Sequence, residues 1–514
     1  MLTSSSFAQC DSVTINSDMM ISSDQLMSGT YVIQGDFTIP SGVTVFVSPY
    51  SSGGCGELKI YANNITINGT INGDYAGFSG GDGGFKGQSV GSITGHAASL
   101  TTCSDTGTEG HINIEGGQAG QDGEGPGGGD AGNPGLEGSG SKQYCGSFGD
   151  EAGLIGGAGG AGGGAGGSYG GVGAGAANGG NGTNIASYTD INVEDSYGAS
   201  AGIGGIGGSP STSYGTTNER DIELGSGGAG AGGGGRSFYL GSDGFDGGNG
   251  GGLVFLKANA DLILDGLISV NGQDGSFGGN GGSGDATDDC CSDGCNGCDE
   301  RTYSCGSGPG AGSGGGSGGG IFIECLGTAT IEGTLRAKGG AGGGAGQIGN
   351  GATCNYSGGG FCSGNNISTS DSDAAGEGGA GGGGRVKIYL LECAQPAVSP
   401  TIEVNGGVGN NSGAEGSYAE VCGYAGVDDL TQTTFLWSVY PNPFNSTMNL
   451  QLPNSVSYAE PAYVTLMDAI GQVVSTYTYT ESFNTIDLSF VGNGIYVVHV
   501  QHGAFNGTRK ISKR

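Results

Sequence analysis

The hydrophobic positions of this chain follow a two-residue alternation over short stretches, and no long stretch shows the 3.6-residue period of an amphipathic helix. The first alternating stretches, YVIQGDFTIP and SGVTVFVSP, cover residues 31–49. Alternation of this kind predicts β-strands with one buried face. We therefore predict an all-β protein.

A longer repeat contains further stretches of the same kind. Copies occupy residues 56–73, 252–272 and 320–339, and a fourth copy with a longer middle part spans 384–407. Each copy opens on Gly and a strand, and in the first three another Gly precedes the last strand. These glycines are Gly69, Gly266 and Gly333. One such unit cannot bury its apolar face alone, so the copies must stack. The prediction is a right-handed parallel β-solenoid with aliphatic side chains inside and the turn glycines at its corners.

The copies are unevenly spaced, at about 67 residues in one case and nearly 200 in another, so long Gly-rich excursions must leave the solenoid between rungs. Examples are GGAGGAGGGAGG at 156–167 and a similar run near 225–235. A flexible linker is one interpretation of this composition. Polyproline-II-like helices packed side by side are the other, because only Gly fits where backbones approach closely. Recurrent Ala, Ile, Val and Tyr favour the ordered alternative, and the sequence leaves both open.

Composition divides the chain near residue 430. Residues 431–514 contain five of the 124 Gly, which leaves 119 for residues 1–430, together with all 14 Cys and the whole net charge of −33. So acidic a region repels nucleic acid and anionic lipid, which argues against both as partners. The sequence contains no run of about 18 apolar residues, so it predicts no transmembrane segment. The even number of Cys favours a disulfide framework in an oxidising compartment.

The densest cysteine cluster is CCSDGCNGCDERTYSC. Its spacing from Cys295 to Cys298 suits zinc, but no second CxxC or His pair lies at the distance that a zinc site needs. A surface loop stapled by disulfides is therefore favoured. The disulfide candidates are Cys290, Cys291, Cys295, Cys298, Cys305, Cys354 and Cys362.

Signals for catalysis or metal binding are sparse. His111 and His96 are the candidate bases of the Gly-rich region, and HINIEGG around His111 indicates a strand; no GxSxG or HExxH motif is present. Residues 1–430 hold only 11 of the 15 Lys and Arg, which argues against a charged groove. The stretch SDGFDGGNGG at 242–251 is similar to a calcium-binding turn but lacks the tandem register. We expect no catalytic residues and no certain cofactor, with Ca²⁺ as the candidate metal and its ligands unknown.

From about Leu436 the alternation is regular and Gly is rare. YPNPFN at 440–445 places two prolines ahead of a strand, and LMDAIGQVV at 466–474 indicates two strands joined by a turn. Asn493-Gly494 predicts a hairpin turn before a buried strand at 495–500. Together these patterns predict a β-sandwich of about seven short strands.

These pieces, with DLS at 487–489 and KISK at 510–513, resemble the type A C-terminal sorting domain of type IX secretion substrates from the Bacteroidota. The resemblance covers residues 437–514. It implies export across the outer membrane by the type IX machinery, followed by surface attachment or release. The motif residues that carry it are Tyr440, Pro441, Asn442, Pro443, Phe444, Gly471, Gln472, Asn493, Gly494, Ile495, Tyr496 and Lys510.

Residues 1–9, MLTSSSFAQ, end on a small-x-small pair before Gln9, which predicts the remnant of a signal peptide. The Gly-rich passenger is expected at 10–425, a linker at 426–436 and the sorting domain at 437–514. The GSGGGIFI and GGGGRVKI pieces of the passenger are similar to Gly-rich β-helical stretches of bacterial surface adhesins. The expected function is that of an exported structural or adhesive protein, with surface polysaccharide or other cells as partners. A carbohydrate-active β-helix enzyme and a Ca²⁺-dependent carbohydrate-binding protein are the alternatives.

Overall fold

A computed structural model describes residues 12–50, 54–88, 110–145, 150–188, 197–284, 286–288, 300–351, 353–354, 367–391, 397–423, 438–440, 444–451, 461–468, 472–480, 483–502 and 505–513. These residues form strands, turns and extended segments, and none of them is helical. The prediction of an all-β protein is confirmed. The chain divides into two compact units, Met1–Tyr424 and Ala425–Arg514.

Three parallel sheets run along one axis of the first unit, because the rungs stack and each full rung contributes one strand to each sheet. The first sheet contains β1 (Ser12–Ile15), β4 (Gly29–Ile33), β7 (Glu57–Ala62), β15 (Leu253–Ala258), β20 (Gly320–Cys325), β25 (Arg385–Leu390) and β28 (Ser417–Cys422). The second contains β2 (Met19–Met20), β5 (Phe37–Ile39), β8 (Ile65–Ile67), β16 (Leu262–Leu264), β21 (Ala329–Ile331) and β26 (Ala397–Val398). The third contains β3 (Gln25–Met27), β6 (Thr44–Val47), β9 (Thr70–Asn72), β17 (Leu267–Ser269), β22 (Thr334–Arg336) and β27 (Thr401–Glu403).

The core of this solenoid consists of aliphatic side chains that occupy the same position in successive rungs. Ile60, Leu256, Ile323 and Ile388 pair in register across four strands of the first sheet, and all four are fully buried. Each such side chain contributes roughly 1.5–3 kcal/mol by leaving water. The four copies of the sequence repeat coincide with four consecutive rungs, which confirms the stacked solenoid.

Glycines occupy the corner between the second and third strands of these rungs because neighbouring rungs approach closely there. The N–H of Leu267 donates to the carbonyl of Gly69, and the N–H of Thr334 to that of Gly266, each at 3.0 Å. A Cβ on Gly266 would lie 1.9 Å from the oxygen of Gly69. The prediction of corner glycines is therefore confirmed.

The Gly-rich excursions between rungs pack side by side as extended segments, which together we call the glycine bundle. Hydrogen bonds between neighbouring segments recur at every third residue, which is the period of a polyproline II helix. Between 78–87 and 225–234 they measure 2.8–3.1 Å, and the donor–acceptor pairs are Phe78–Gly225, Gly81–Gly228, Gly84–Ala231 and Gly87–Gly234. The segments are 73–88, 115–124, 128–138, 156–169, 170–184, 200–210, 224–236, 241–252, 270–284, 305–319, 337–351, 369–384 and 404–416. The ordered interpretation of the excursions is thus the one that the structure supports.

The interior of the glycine bundle contains almost no large side chains. Residues 156–169, 224–235 and 305–319 are buried throughout, and apart from Tyr169, Leu224, Cys305 and Pro309 they are Gly, Ala and Ser. The buried serines bond to neighbouring backbones: the Ser307 hydroxyl donates to the carbonyl of Gly235 at 2.7 Å and accepts from the N–H of Gly282 at 2.6 Å. Burial in this region is therefore achieved by packed, hydrogen-bonded backbone.

Short strands extend from the bundle segments. A five-stranded sheet has the order β10 (Gly110–Ile114), β11 (Gly138–Cys145), β12 (Asp150–Ile155), β19 (Glu300–Ser304) and β18 (Ala286–Asp288). Two strand pairs are β13 (Ile185–Tyr188) with β14 (Tyr197–Ala199), and β23 (Thr353–Cys354) with β24 (Ile367–Ser368). The strand predicted around His111 is β10, whereas His96 lies outside the described residues.

The second unit is a sandwich of two antiparallel sheets. One contains β29 (Ser438–Tyr440), β30 (Thr447–Gln451) and β33 (Phe483–Asp487). The other has the order β32 (Val473–Tyr479), β31 (Ala462–Asp468), β34 (Gly494–His502) and β35 (Phe505–Lys513). Side chains from both sheets form one core, among them Met448, Leu450, Val464, Leu466, Ile486, Val498 and Val500. The predicted small C-terminal sandwich is confirmed.

Candidate functional site

The last strand of the chain ties the two sheets of the C-terminal sandwich together. The N–H of Phe444, just ahead of β30, donates to the carbonyl of Ser512 in β35 at 2.9 Å. The Lys513 ammonium donates to the carbonyls of Leu488, Ser489 and Val491 at 2.8, 3.2 and 2.8 Å. These carbonyls follow β33 in the opposite sheet. The terminal KISK stretch is thus a structural closure of the domain, a role that its basic character alone did not indicate.

The predicted motif residues separate into buried and turn-forming groups. Phe444 is 1% exposed in the core, and Tyr496 packs against the core while its hydroxyl donates to the Gly492 carbonyl at 2.8 Å. The N–H of Gln472 donates to Oδ1 of Asp468 at 2.9 Å, and the N–H of Asp468 to the Gln472 carbonyl at 2.9 Å. These two bonds close the predicted turn between β31 and β32.

The prediction of a hairpin at Asn493-Gly494 is wrong. Gly494 begins β34, but the preceding strand β33 belongs to the other sheet, so the dipeptide lies on a connection between sheets. The strand at 495–500 is also half-buried: Val498 and Val500 face the core, whereas Ile495 is 48% exposed. Tyr440 ends β29, and Pro441, Asn442, Pro443 and Gly471 lie outside the described residues.

The outer face of the four-stranded sheet carries a row of paired side chains, and the pairing of β31 with β32 shifts register between Leu466 and Met467. Met467 of β31 pairs with Val473 of β32 on one side and with Val497 of β34 on the other, and Val497 pairs with Lys510 of β35. Val473 is 62% exposed, and Met467 and Val497 are partly exposed. An apolar stripe ending in a cation therefore crosses this face.

In the passenger, the stretch 242–251 places side-chain oxygens along a neighbouring backbone. Oδ1 atoms of Asp243, Asp246 and Asn249 accept hydrogen bonds at 2.9, 3.0 and 2.9 Å; the donors are the N–H groups of Lys86, Gly83 and Gly80, respectively. Acceptors and donors both recur every three residues, in opposite directions. The sequence similarity to a calcium-binding turn thus coincides with a ladder that pairs one segment of the bundle to the next.

Other bundle segments repeat this ladder. Oδ1 of Asn178 and of Asn181 accepts from the N–H of Gly207 and Gly204 at 3.1 and 2.8 Å. Oδ1 of Asn271, Asp274 and Asn280 accepts from Lys338, Ala341 and Gln347 at 2.9, 2.7 and 2.8 Å. Part of the acidic excess therefore serves as backbone acceptors. In the part of the chain that the structure describes, no group of three or more His, Cys, Asp or Glu side chains could hold a metal ion.

Cations of strand β25 hold residues 214–221 against the first sheet. The Lys387 ammonium, 1% exposed, donates to the carbonyls of Glu219 and Asp221 at 2.7 and 2.5 Å and to Oδ1 of Asp221 at 2.8 Å. Arg385 donates to the carbonyls of Tyr214 and Gly215 at 2.8 and 3.2 Å. Burial raises the pKa of Asp221, but hydrogen bonds from Lys387 and Thr216 outweigh it, and the net shift is downward.

A second buried charge lies on the adjacent strand. Glu324, 1% exposed, forms ion pairs with Arg220 and, at 3.4 Å, with Lys257. The Arg220 guanidinium lies over the rings of Phe322 and Tyr389, at 5.9 and 6.0 Å from their centroids. Two cations thus share one carboxylate. This arrangement neutralises the carboxylate and fixes residues 214–221, which include Arg220, against the sheet. Nearby, burial raises the pKa of both Tyr169 and Tyr214.

The cysteines have different fates among the described residues. Cys55 and Cys422 are disulfide-bonded. Cys305 has a free thiol, whose pKa burial raises, so the disulfide predicted for it is absent from this structure. The physical reason is its position at the start of a fully buried bundle segment. The side chain of Cys354 and the whole of Cys290, Cys291, Cys295, Cys298 and Cys362 lie outside the described residues.

Comparison with known proteins identifies the C-terminal unit. Residues 438–514 match the family described as the secretion system C-terminal sorting domain. An exported protein with a sorting signal is therefore the class to which the sandwich and its motifs point. The protein is a type IX secretion substrate, and it is secreted or displayed at the cell surface. Among the described residues, no helix is long and apolar enough to cross a membrane.

No curated protein matches the chain. A solved structure of Faecalibacterium prausnitzii beta-glucuronidase is similar to it at 21% identity over 15% of this chain and 14% of that chain, with a TM-score of 0.13. The similarity thus spans about a seventh of the enzyme's length.

Proposed function

We propose that the exported passenger is a structural and adhesive surface protein. The observation that carries this proposal is the glycine bundle, in which rigid segments are joined to several neighbours by backbone hydrogen bonds. Such a lattice has little freedom to open or close, which suits a scaffold that holds surface groups at fixed spacing. The described carboxylates reinforce this reading, because many of them accept bonds from backbone N–H groups within the lattice.

Exposed aromatic rings supply an adhesive surface. Phe85, Phe245 and Phe277 are 62%, 60% and 65% exposed, on segments that are adjacent in the bundle. The N–H of Phe245 donates to the carbonyl of Phe277 at 3.2 Å, and the N–H of Gly244 to that of Gly84 at 2.8 Å. The three residues therefore lie on neighbouring segments of the bundle, near one level along it. Large exposed side chains of this kind mark interaction surfaces.

The surroundings of these rings favour an uncharged ligand. Asp82, Asp246 and Asp274 are exposed on the same segments and provide acceptors for hydroxyl groups. Their negative charge would repel an anionic polymer. A neutral surface polysaccharide, with apolar faces for the rings and hydroxyls for the carboxylates, fits this combination.

Binding by cells that display the protein tests the adhesive role. Substituting Phe85, Phe245 and Phe277 by Ser should lower attachment to neutral polysaccharide surfaces at least ten-fold while leaving display unchanged. A matched control replaces Leu136, Ile203 and Ile206, which are 58%, 61% and 64% exposed on other segments, by Ser. Equal attachment by the aromatic variant and the wild type would contradict the proposal, and hydrolysis of the polysaccharide by the purified protein would favour the enzyme alternative.

Thermal unfolding of the purified protein separates the stapled scaffold from the calcium alternative. A melting temperature that falls with reductant and ignores EDTA supports disulfides such as those of Cys55 and Cys422 as the stabilising element. A large loss with EDTA, restored by Ca²⁺, would instead support a calcium-dependent carbohydrate-binding protein.

A further inference from the structure

We propose that the apolar stripe of the sorting domain, formed by Met467, Val473, Ile495 and Val497, is the surface on which the type IX secretion machinery docks. The inference rests on the sorting role of the domain and assigns that role to one face. The machinery is the occupant because a sorting domain acts by being recognised, and residues 438–514 match such a domain.

The stripe is continuous across the sheet. The pairs Met467–Val473 and Met467–Val497 place these three residues side by side on neighbouring strands, the first pair lying directly after a register shift between β31 and β32. Ile495 lies two residues from Val497 on the same face of β34. Val473 is 62% and Ile495 48% exposed, although both are aliphatic residues within strands. The opposite face of the same sheet supplies the core of the sandwich through Val464, Leu466, Val498 and Val500. The stripe therefore contributes apolar surface that the fold itself does not bury.

Ile495 provides an independent indication. It is one of the motif residues by which the sequence resembles sorting domains, yet it has no place in the core of the sandwich. Of the other large apolar or aromatic motif residues with described side chains, Phe444 fills the core and Tyr496 packs against it. A motif residue that the fold leaves exposed is explained by contact with something outside the domain.

Charge sets the chemistry of the partner. The described side chains on this face include Lys510 beside Val497, and His499 and several threonines elsewhere; none of them is a carboxylate. An apolar stripe fits an apolar partner surface, and a face whose described side chains include no carboxylate does not repel a partner surface that is bordered by carboxylates. The far end of the face carries Tyr463, which is 55% exposed and separated from the stripe by Thr465.

Export from cells with a type IX system tests the assignment, with the full chain as the substrate. The variant combining Met467→Thr, Val473→Thr and Val497→Thr keeps β-forming residues and should reduce the surface and medium fractions at least ten-fold, with accumulation inside the outer membrane. Tyr463→Thr removes exposed apolar area from the same face outside the stripe and should be exported normally. Wild-type export of the triple variant would overturn the proposal.

A second variant separates docking from folding. Val473→Glu with Ile495→Glu alters only the two most exposed positions of the stripe and should also block export, while purified protein melts as the wild type does. Normal export of this folded variant would overturn the proposal. A chain lacking residues 438–514 must remain unexported; if it is exported, the sorting role itself fails, which is a different result. If the wild-type protein is a dimer in ultracentrifugation and the variant is a monomer that is still exported, the stripe is a self-association surface. That result would likewise overturn the proposal.

Discussion

Replacing a glycine inside the bundle by alanine tests whether these residues are needed for room. At Gly314, within the buried segment 305–319, a Cβ would lie 1.9 Å from the oxygen and 2.5 Å from the carbon of the Ala165 carbonyl. Both atoms belong to backbone, so the segments must separate by more than an ångström. The N–H of Gly314 donates to Ala229 at 2.8 Å, and its carbonyl accepts from Gly248 at 2.9 Å. Both hydrogen bonds would be lost or stretched.

The expected destabilisation is about 2–6 kcal/mol. Each lost hydrogen bond contributes about 0.5–1.5 kcal/mol, and overpacking of a tight interior costs about 1–3 kcal/mol. The unfolding entropy of a unit of this length is about 0.9 kcal/mol per kelvin, since it scales with the number of residues. Gly314→Ala should therefore lower the melting temperature of the first unit by about 2–7 °C in calorimetry or circular dichroism.

Gly175 is the matched control. A Cβ there meets its nearest atoms, the Gly208 oxygen and Cδ of Pro210, at 3.5 Å, which is ordinary contact. Since alanine restricts the unfolded chain, Gly175→Ala should stabilise the protein by about 0.4–1 kcal/mol. The two substitutions thus have opposite expected signs. Equal melting temperatures for the two variants would refute the idea that close backbone packing requires the interior glycines.

Three further predictions concern side chains that hold segments together. A hydrogen bond from Lys338 keeps the pKa of Glu403 below its usual range. The ionised Glu403 side chain therefore stabilises the folded state above about pH 4.3, and this stabilisation is lost as the pH falls through the folded-state pKa. Glu403→Gln should flatten the acid limb of a curve of unfolding free energy against pH. Lys513→Met should destabilise the sorting domain by about 1.5–3 kcal/mol, seen as faster proteolysis of that domain, because three carbonyls lose a charged donor; unchanged proteolysis would contradict the closure role. Asp246→Ala should lower stability by about 1 kcal/mol in denaturant unfolding, whereas Asp246→Asn retains the acceptor for Gly83 and should be near neutral; similar losses for both would indicate that the charge matters more than the hydrogen bond.

The solenoid could be predicted because its signal is hydrophobic. Residues 56–73 show alternating aliphatic positions and a corner glycine, and they form β7, β8 and β9 as expected. The first rung, at Ser12–Met27, was not recognised as a rung. Its strands are short, contain many polar residues and lack the corner glycine of the later copies. A repeat that departs from the consensus gives too few apolar positions for the pattern to be seen.

The glycine bundle left no such signal in hydropathy, because its interior is backbone. Its detectable signature is instead a three-residue period in which Asp or Asn of one segment faces backbone N–H groups of another, as at Asp243, Asp246 and Asn249. In sequence these residues are similar to a calcium turn, since both structures use closely spaced carboxylates and Gly. Only the partner segment distinguishes them, and its residues, 80–86, lie about 160 positions earlier in the chain.

In the sorting domain, the motif located the unit and the turn at Gln472, but not the functions of the side chains. Lys513 was not among the predicted residues, because its three acceptors become neighbours only when the sheets pack together. Met467, Val473 and Val497 were missed for a similar reason. Alternation shows that a strand has two faces, but which apolar residues remain outside depends on the register with neighbouring strands.

The composition of the bundle interior also has a consequence for heat capacity. Exposing apolar surface on unfolding raises the heat capacity, by about 0.45 cal/mol/K per Å², whereas exposing polar backbone lowers it by about 0.26. Unfolding of segments such as 156–169 and 305–319 exposes mainly peptide groups. The heat-capacity increment per residue should therefore fall below the ordinary value of about 12–15 cal/mol/K. A small increment flattens the dependence of stability on temperature, so this exported protein should lose little of its stability on cooling.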